Sequence, residues 1–314
     1  MIETLQSLRF IFMMMIFMSH FAYRDIGAFD AGGDCGVSFF FLLSGFVCSL
    51  GYGGKIENGT FHYGRFLWKR FKKLYPLHLI CLLFFLLVSH APLDEKVWLN
   101  VLLLQSWIPD IDYYFACNSV SWFLSSLLFC YLVFPLLYRW LSWRFTLLVM
   151  LGYVATYWMT PSDGVNAILY VNPLVRMVDF YLGMLSCRMF MCGKVFASSG
   201  QLEVVLLVIL LMSLVVYPFV GEKFRNAPLY WMVLIPLILV FAQEKGPVSR
   251  WLNTKPMLFL GSLTMPVFLT HQMLIGILLR RLPEMPVVLM LAACIFVVLS
   301  ISWGIQIIIP RLLR

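Results

Sequence analysis

Apolar runs fill this chain from end to end. They fall at about 5–23, 35–52, 74–90, 120–141, 145–160, 173–191, 202–220, 227–243, 256–279 and 286–309. A bilayer's hydrocarbon core is about 30 Å thick, and a helix needs roughly 20 apolar residues to cross it. Helix is the state such runs adopt, because in lipid each backbone N–H and C=O must be bonded within its own segment. The expected fold is therefore all-α, a polytopic membrane protein of about ten transmembrane helices. No long polar linker, low-complexity tract or internal repeat interrupts the series, so residues 1–314 read as a single integral-membrane domain. The first run is longer than a signal-peptide core and lacks a small-residue cleavage pattern, so it reads as a retained helix.

Residues 97–108 break the pattern. This stretch contains Asn100 and Gln105, and at 1.5 Å per residue it covers only roughly 18 Å. It is expected to be re-entrant or interfacial. Basic residues tend to stay on the cytoplasmic side, and their distribution tests that choice. With the N-terminus inside and 97–108 not crossing, sixteen Lys and Arg fall inside and six outside; if 97–108 crossed, the split would be eleven to eleven. Both termini are accordingly expected in the cytoplasm, although Arg280 and Arg281 run against the rule. The same bias accounts for the net charge of +8, so no nucleic-acid partner is expected. The eight cysteines form no C-x-x-C pair, which argues against a disulfide framework or zinc site, and no metal is expected. Cys35 and Cys117 lie nearer to loops, and their pairing stays open.

The polar residues inside these runs carry the functional signal. In "RFIFMMMIFMSHF", residues 9–21, Arg9 and His20 lie eleven residues apart. At 3.6 residues per turn they share a helix face, about 16 Å apart along the axis. On the expected topology His20, His271, Arg176 and Asp179 lie toward the outer side. The cluster "RFLWKRFKK", residues 65–73, lies on the inner side. Structural alternatives accompany each. The basic cluster also serves as a topology anchor, Trp122 as an interface anchor, Arg176 and Asp179 as an i,i+3 pair. Ser44-Gly45 reads as close helix packing, and His271 also suits a bond to a neighbouring helix.

Five segments, in order, resemble the acyltransferase family 3 of bacterial membrane proteins, which includes O-antigen and exopolysaccharide O-acetyltransferases. "LQSLRFIFMMMIFMSHF" resembles the family's first helix, with Leu-Arg near its start and His-Phe at its end. "CGVSFFFLLSGFV" resembles the second. "RFLWKRFKKLYPLHLI" resembles the basic stretch that ends before a proline. "SWFLSSLLFCYLVFP" places Trp122, Ser125, Tyr131 and Pro135 at the family's offsets. "LGSLTMPVFLTHQMLI" resembles the closing pattern, ending at His271, and "RMVDFYLGM" adds a weaker match. The chain departs from the family at Ser38 and Leu127, where acids are frequent, and at Lys73, where a second Arg is usual.

The resemblance implies acyl transfer from acyl-CoA, by default acetyl-CoA, as co-substrate to a hydroxyl of a cell-surface glycan or lipid-linked sugar. It implies a multi-pass protein of the bacterial cytoplasmic (inner) membrane. CoA carries a phosphoadenosine diphosphate, and the cations of residues 65–73 supply charge-assisted donors for it. Donor-binding candidates are Arg9, Lys69, Arg70, Lys72 and Lys73. His20 is the candidate general base, since an imidazole titrates near neutral pH. Trp122, Ser125, Arg176, Asp179 and His271 are acceptor-pocket candidates. Two other readings remain: a carrier or flippase for an anionic lipid-linked metabolite, and an acyltransferase acting on a non-glycan small molecule.

Overall fold

The computed structural model describes residues 2–22, 32–193, 200–226 and 228–312. Arg24, Lys194 and Arg314, which enter the charge count, lie outside them, as do Tyr23 and Ala227 at the ends of two apolar runs. The helices are α1 Glu3–Ser19, α2 Gly33–Glu57, α3 Tyr63–Ser89, α4 Glu95–Val101, α5 Ile111–Tyr114, α6 Trp122–Arg139, α7 Trp143–Met159 and α8 Pro173–Met191. There follow α9 Gly200–Val216, α10 Glu222–Arg225, α11 Pro228–Phe241, α12 Pro247–Leu252, α13 Lys255–Ser262, α14 Thr264–Arg281 and α15 Val287–Leu312. No strand occurs among the described residues.

Each expected apolar run is helical, but length and composition alone give fewer spans than ten. Five helical segments are long and apolar enough to cross a bilayer, or up to seven when two bent pairs each count as one span. The runs at 5–23, 145–160 and 202–220 form helices of 17 residues each, or about 26 Å of rise. Residues 97–108 hold the end of α4 and a 3-10 turn at Gln105–Trp107, too short to cross. They are tied inward: His78 Nε2 bonds Asn100 O at 2.9 Å, Gln105 Nε2 donates to Ser121 Oγ at 3.0 Å, and Ser106 Oγ donates to Trp122 O at 2.8 Å.

Two breaks escape the apolar pattern. The expected span 256–279 divides at Leu263 into α13 and α14, bent by 59°. Pro266 lacks an N–H for the ladder, while Thr264 Oγ1 bonds Gly261 O at 2.8 Å and Leu263 N reaches only back to Leu260 O. The second break precedes α8. A π-helical segment, Val165–Val171, meets α8 at 51° across Asn172-Pro173, where the proline holds the preceding residue out of the α conformation.

The fold centres on α2. About two thirds of the apolar stretches of α2 and α6 is buried, against 22 % for α3 and α15. The outer faces of α3, α7, α9 and α15 carry exposed Leu87, Leu148, Leu211 and Phe296, as lipid-facing helices do. Glycine sets the closest contact, between α2 and α8. A Cβ at Gly45 would lie 1.9 Å from Phe180 O, and one at Gly183 would lie 1.9 Å from Leu42 O. Of the Ser44-Gly45 step, Gly45 is thus the packing residue, matched across the interface by Gly183. Helix α1 is bolted by buried hydroxyls: Thr4 Oγ1 donates to Phe241 O and Ser7 Oγ to Leu252 O, each at 2.6 Å. Buried Glu203 of α9 accepts the backbone N–H of Gly246 and Val248 at 3.0 Å and of Ser249 at 3.2 Å, together with the Ser249 hydroxyl. A carboxylate from one helix so satisfies the open N-terminus of α12.

Candidate functional site

Arg9 and His20 open onto two different cavities. The basic cavity, of about 350 Å³, is lined by Arg9 of α1, Arg70 and Lys73 of α3, Ser44 of α2, Tyr131 of α6 and the α13–α14 junction. Arg70 and Lys73 are an i,i+3 pair and share a helix face. The Arg70 guanidinium is held by rings, 5.1 Å from the centre of Tyr131, 5.4 Å from Phe66 and 5.7 Å from Tyr52, and its Nη2 lies 3.3 Å from Cys48 Sγ. Arg9 reaches this wall because α13 comes close to α1, where a Cβ at Gly261 would lie 2.3 Å from Gln6 O. Among the described residues, none of Arg9, Arg70 and Lys73 makes an ion pair; the pair seen is Arg176–Asp179. Three like charges around one cavity repel each other and favour an anionic occupant. Lys69 and Lys72 are exposed on α3 and do not line the cavity.

The second cavity, of about 260 Å³, is lined by His20, Trp122, Tyr170, Ser119, Gln272 and apolar neighbours. His20 is not inside the apolar helix, as its run suggests, but caps the C-terminus of α1 (φ −94°, ψ −6°). Its Nδ1 lies 2.9 Å from Ile16 O and 3.1 Å from His271 Nε2. His271 is fully buried on α14, with Nδ1 2.8 Å from Phe268 O and 3.1 Å from Val267 O. Ser119 Oγ donates to Gln272 Oε1, and Asn118 Nδ2 to Leu269 O at 2.9 Å. These bonds fasten the loop before α6 to α14.

Arg176 and Asp179 lie behind this cavity. Both are 1 % exposed and meet at 2.8 Å. Asp179 also accepts from Trp231 Nε1. Arg176 reaches Ser38 Oγ and Asn226 O, each at 3.3 Å, and stacks 4.8 Å from the centre of Tyr170, a wall residue. Ser38 thus meets Arg176 through a hydroxyl, and Asp179 is the counter-ion of Arg176. Ser125 is buried but lines neither cavity. Leu127 lines the basic cavity. All eight cysteines, Cys35 and Cys117 included, are free thiols.

The cavities share one residue, Phe268, which lines both. Its ring packs edge-on against Phe123 at 5.1 Å, and Phe123 lies tilted against Phe41 at 4.6 Å. Sequence reasoning missed Phe268, Tyr170, Ser119 and Gln272. Gln272 had its place beside His271 as a signal, whereas Tyr170 sits in a π-helical turn that no periodicity marks.

Residues 2–307 match the family described as "Acyltransferase domain". The chain is 34 % identical over 158 residues to acyltransferase MdmB of Streptomyces mycarofaciens, covering 44 % of this chain and 39 % of that protein. It is 43 % identical over 61 residues to protein 2 in the picA locus of Rhizobium radiobacter, covering 19 % of this chain and 32 % of that protein. The chain thus matches well under half the length of either curated relative. No solved structure matches.

Proposed function

Since the chain belongs to the acyltransferase domain family, we propose that it is a membrane O-acyltransferase. In this reading it moves an acyl group, by default acetyl, from cytoplasmic acyl-CoA to a hydroxyl of a cell-surface glycan or lipid-linked sugar. It would do so in the bacterial inner membrane with both termini cytoplasmic. The observation that carries the reading is the pairing of two cavities across Phe268. One is walled by three cations with no ion-pair partner among the described residues, the other by a histidine whose ring is held by hydrogen bonds.

The donor's phosphates pair with Arg9, Arg70 and Lys73. The exposed Arg65, Lys69 and Lys72 of α3 extend the positive field outward. The pantetheine arm carries the thioester past Phe268 toward His20. The acceptor hydroxyl enters from the other side. His20 Nε2 takes the hydroxyl proton as the oxygen attacks the thioester carbonyl. The C–S bond then breaks, and the CoA thiolate leaves and takes up a proton. The products are the O-ester and free CoA.

The test is a split between two variants that share a helix face. General-base catalysis contributes typically 10²–10⁴-fold, so His20→Ala should lose about that much transfer from labelled acetyl-CoA while keeping its affinity for CoA. Arg9→Ala should instead weaken CoA binding. Near-normal transfer by correctly inserted His20→Ala, or no measurable CoA affinity in the unaltered protein, would overturn the reading.

A further inference from the structure

His20 closes α1 as its cap residue, so only part of its ring is constrained by the helix behind it. A base in that position is oriented by what meets its ring. His271 of α14, more than 250 positions away in sequence, reaches it with Nε2 at 3.1 Å from His20 Nδ1. The partners of each ring decide where the protons sit. His271 Nδ1 faces two backbone carbonyls, those of Val267 and Phe268. Carbonyls only accept, so Nδ1 carries the hydrogen, and in the neutral ring Nε2 carries the lone pair. The same logic holds for His20. Its Nδ1 faces the carbonyl of Ile16 and the lone pair of His271 Nε2, so it is the donor of a three-centre bond. With Nδ1 carrying the hydrogen, the lone pair of the neutral His20 ring is on Nε2. The hydrogen bonds therefore run in one direction, from His20 through His271 to the α14 backbone.

Resting on the base assignment above, we propose that His271 is the positioning residue of His20: a buried, neutral acceptor that fixes the ring, its tautomer and its response to charge. When His20 takes a proton at Nε2, its Nδ1–H becomes part of an imidazolium, and the bond to His271 strengthens as a charge-assisted bond does. His271 performs this role only while neutral. A proton on its Nε2 would aim one N–H at another. The rings are inclined at 63° with centres at 5.0 Å, an edge-on contact rather than stacking.

The test uses the full chain in lipid nanodiscs. The protein has five histidines, so ¹⁵N-histidine spectra are assignable by single substitutions. The expected spectrum has His20 and His271 each protonated at Nδ1 and bare at Nε2. His271→Leu should shift the His20 Nδ1 signal, because that N–H then keeps Ile16 O of the two acceptors and loses the other. In acetyl transfer from acetyl-CoA to a panel of methyl hexosides, it should lower kcat by about 10²-fold, the scale on which misplacement of a reacting group is felt. KM and CoA affinity should stay as they were. His271→Gln, whose amide oxygen accepts in the same place, should recover most of the loss. His271→Leu added to His20→Ala should cost nothing more. A proton found on His271 Nε2 in the resting protein, or unchanged His20 signals and kcat in His271→Leu, would overturn the positioning role and leave the base assignment standing. Normal transfer by His20→Ala would overturn the base and the positioning role together.

Discussion

Arg70→Gln isolates the electrostatic half of the proposed site. Arg70 faces the basic cavity among three aromatic rings, with no carboxylate pairing it among the described residues. A hydrogen bond to a charged partner contributes about 1.5–3 kcal/mol, so the Kd for CoA should rise about 10- to 150-fold. Stability should change less. The lost cation–π contacts are worth about 0.5–2 kcal/mol, and relief of repulsion from Arg9 and Lys73 offsets part of that. Calorimetric titration of CoA into nanodisc-held protein at fixed ionic strength measures the first quantity, and thermal unfolding the second. Pantetheine, which has the arm but no phosphate, supplies the control: its binding should be the same in both proteins. Added salt should weaken CoA binding, to a smaller degree in the variant. Equal CoA affinity in a variant of normal Tm, or an equal loss for pantetheine, would refute the assignment of the cavity to phosphate.

Three further outcomes follow from the packing and the topology. Gly183→Val should fail to give a monodisperse protein on size exclusion, because even a Cβ would sit 1.9 Å from Leu42 O, whereas Gly304→Ala, with nothing near its Cβ, should behave as the unaltered chain. Glu203→Ala should lower Tm by several degrees, since each backbone N–H left bare at the start of α12 costs about 1–3 kcal/mol. In a background stripped of native cysteines, Ser142→Cys should resist an impermeant thiol reagent added outside intact cells; labelling from outside would reverse the expected orientation.

Much of the helical framework was legible because apolar runs of this length leave the backbone no other state. Its breaks were less so. The division at Leu263 depends on Pro266 acting with the Thr264 hydroxyl that bonds back to Gly261 O, and a hydropathy pattern averages over both. The number of crossings is not fixed by the runs either, since helices such as α1 and α7 are near the minimum length. In the site, the shared face of Arg9 and His20 followed from helical arithmetic, yet the two residues serve different cavities. Helical spacing sets Lys72 well apart from Arg70, about 160° round the helix, but leaves Lys69 only about 40° from Lys73, so the sequence did not separate that lysine from the cavity wall. The meeting of His20 with His271 had no sequence signal beyond the presence of both, because it depends on how α14 bends. Phe268 looked like any of 28 phenylalanines.

That one ring walls both cavities makes them a linked system. An occupant that must turn Phe268 aside to fit on one side changes the space on the other, so each ligand's affinity depends on the state the other ligand prefers. Linkage requires the effect to be mutual: the factor by which a donor alters acceptor binding equals the factor by which the acceptor alters donor binding. Phe268→Ala should erase that factor in both directions at once, so a single coupling free energy, measured from either cavity, reports on one side chain.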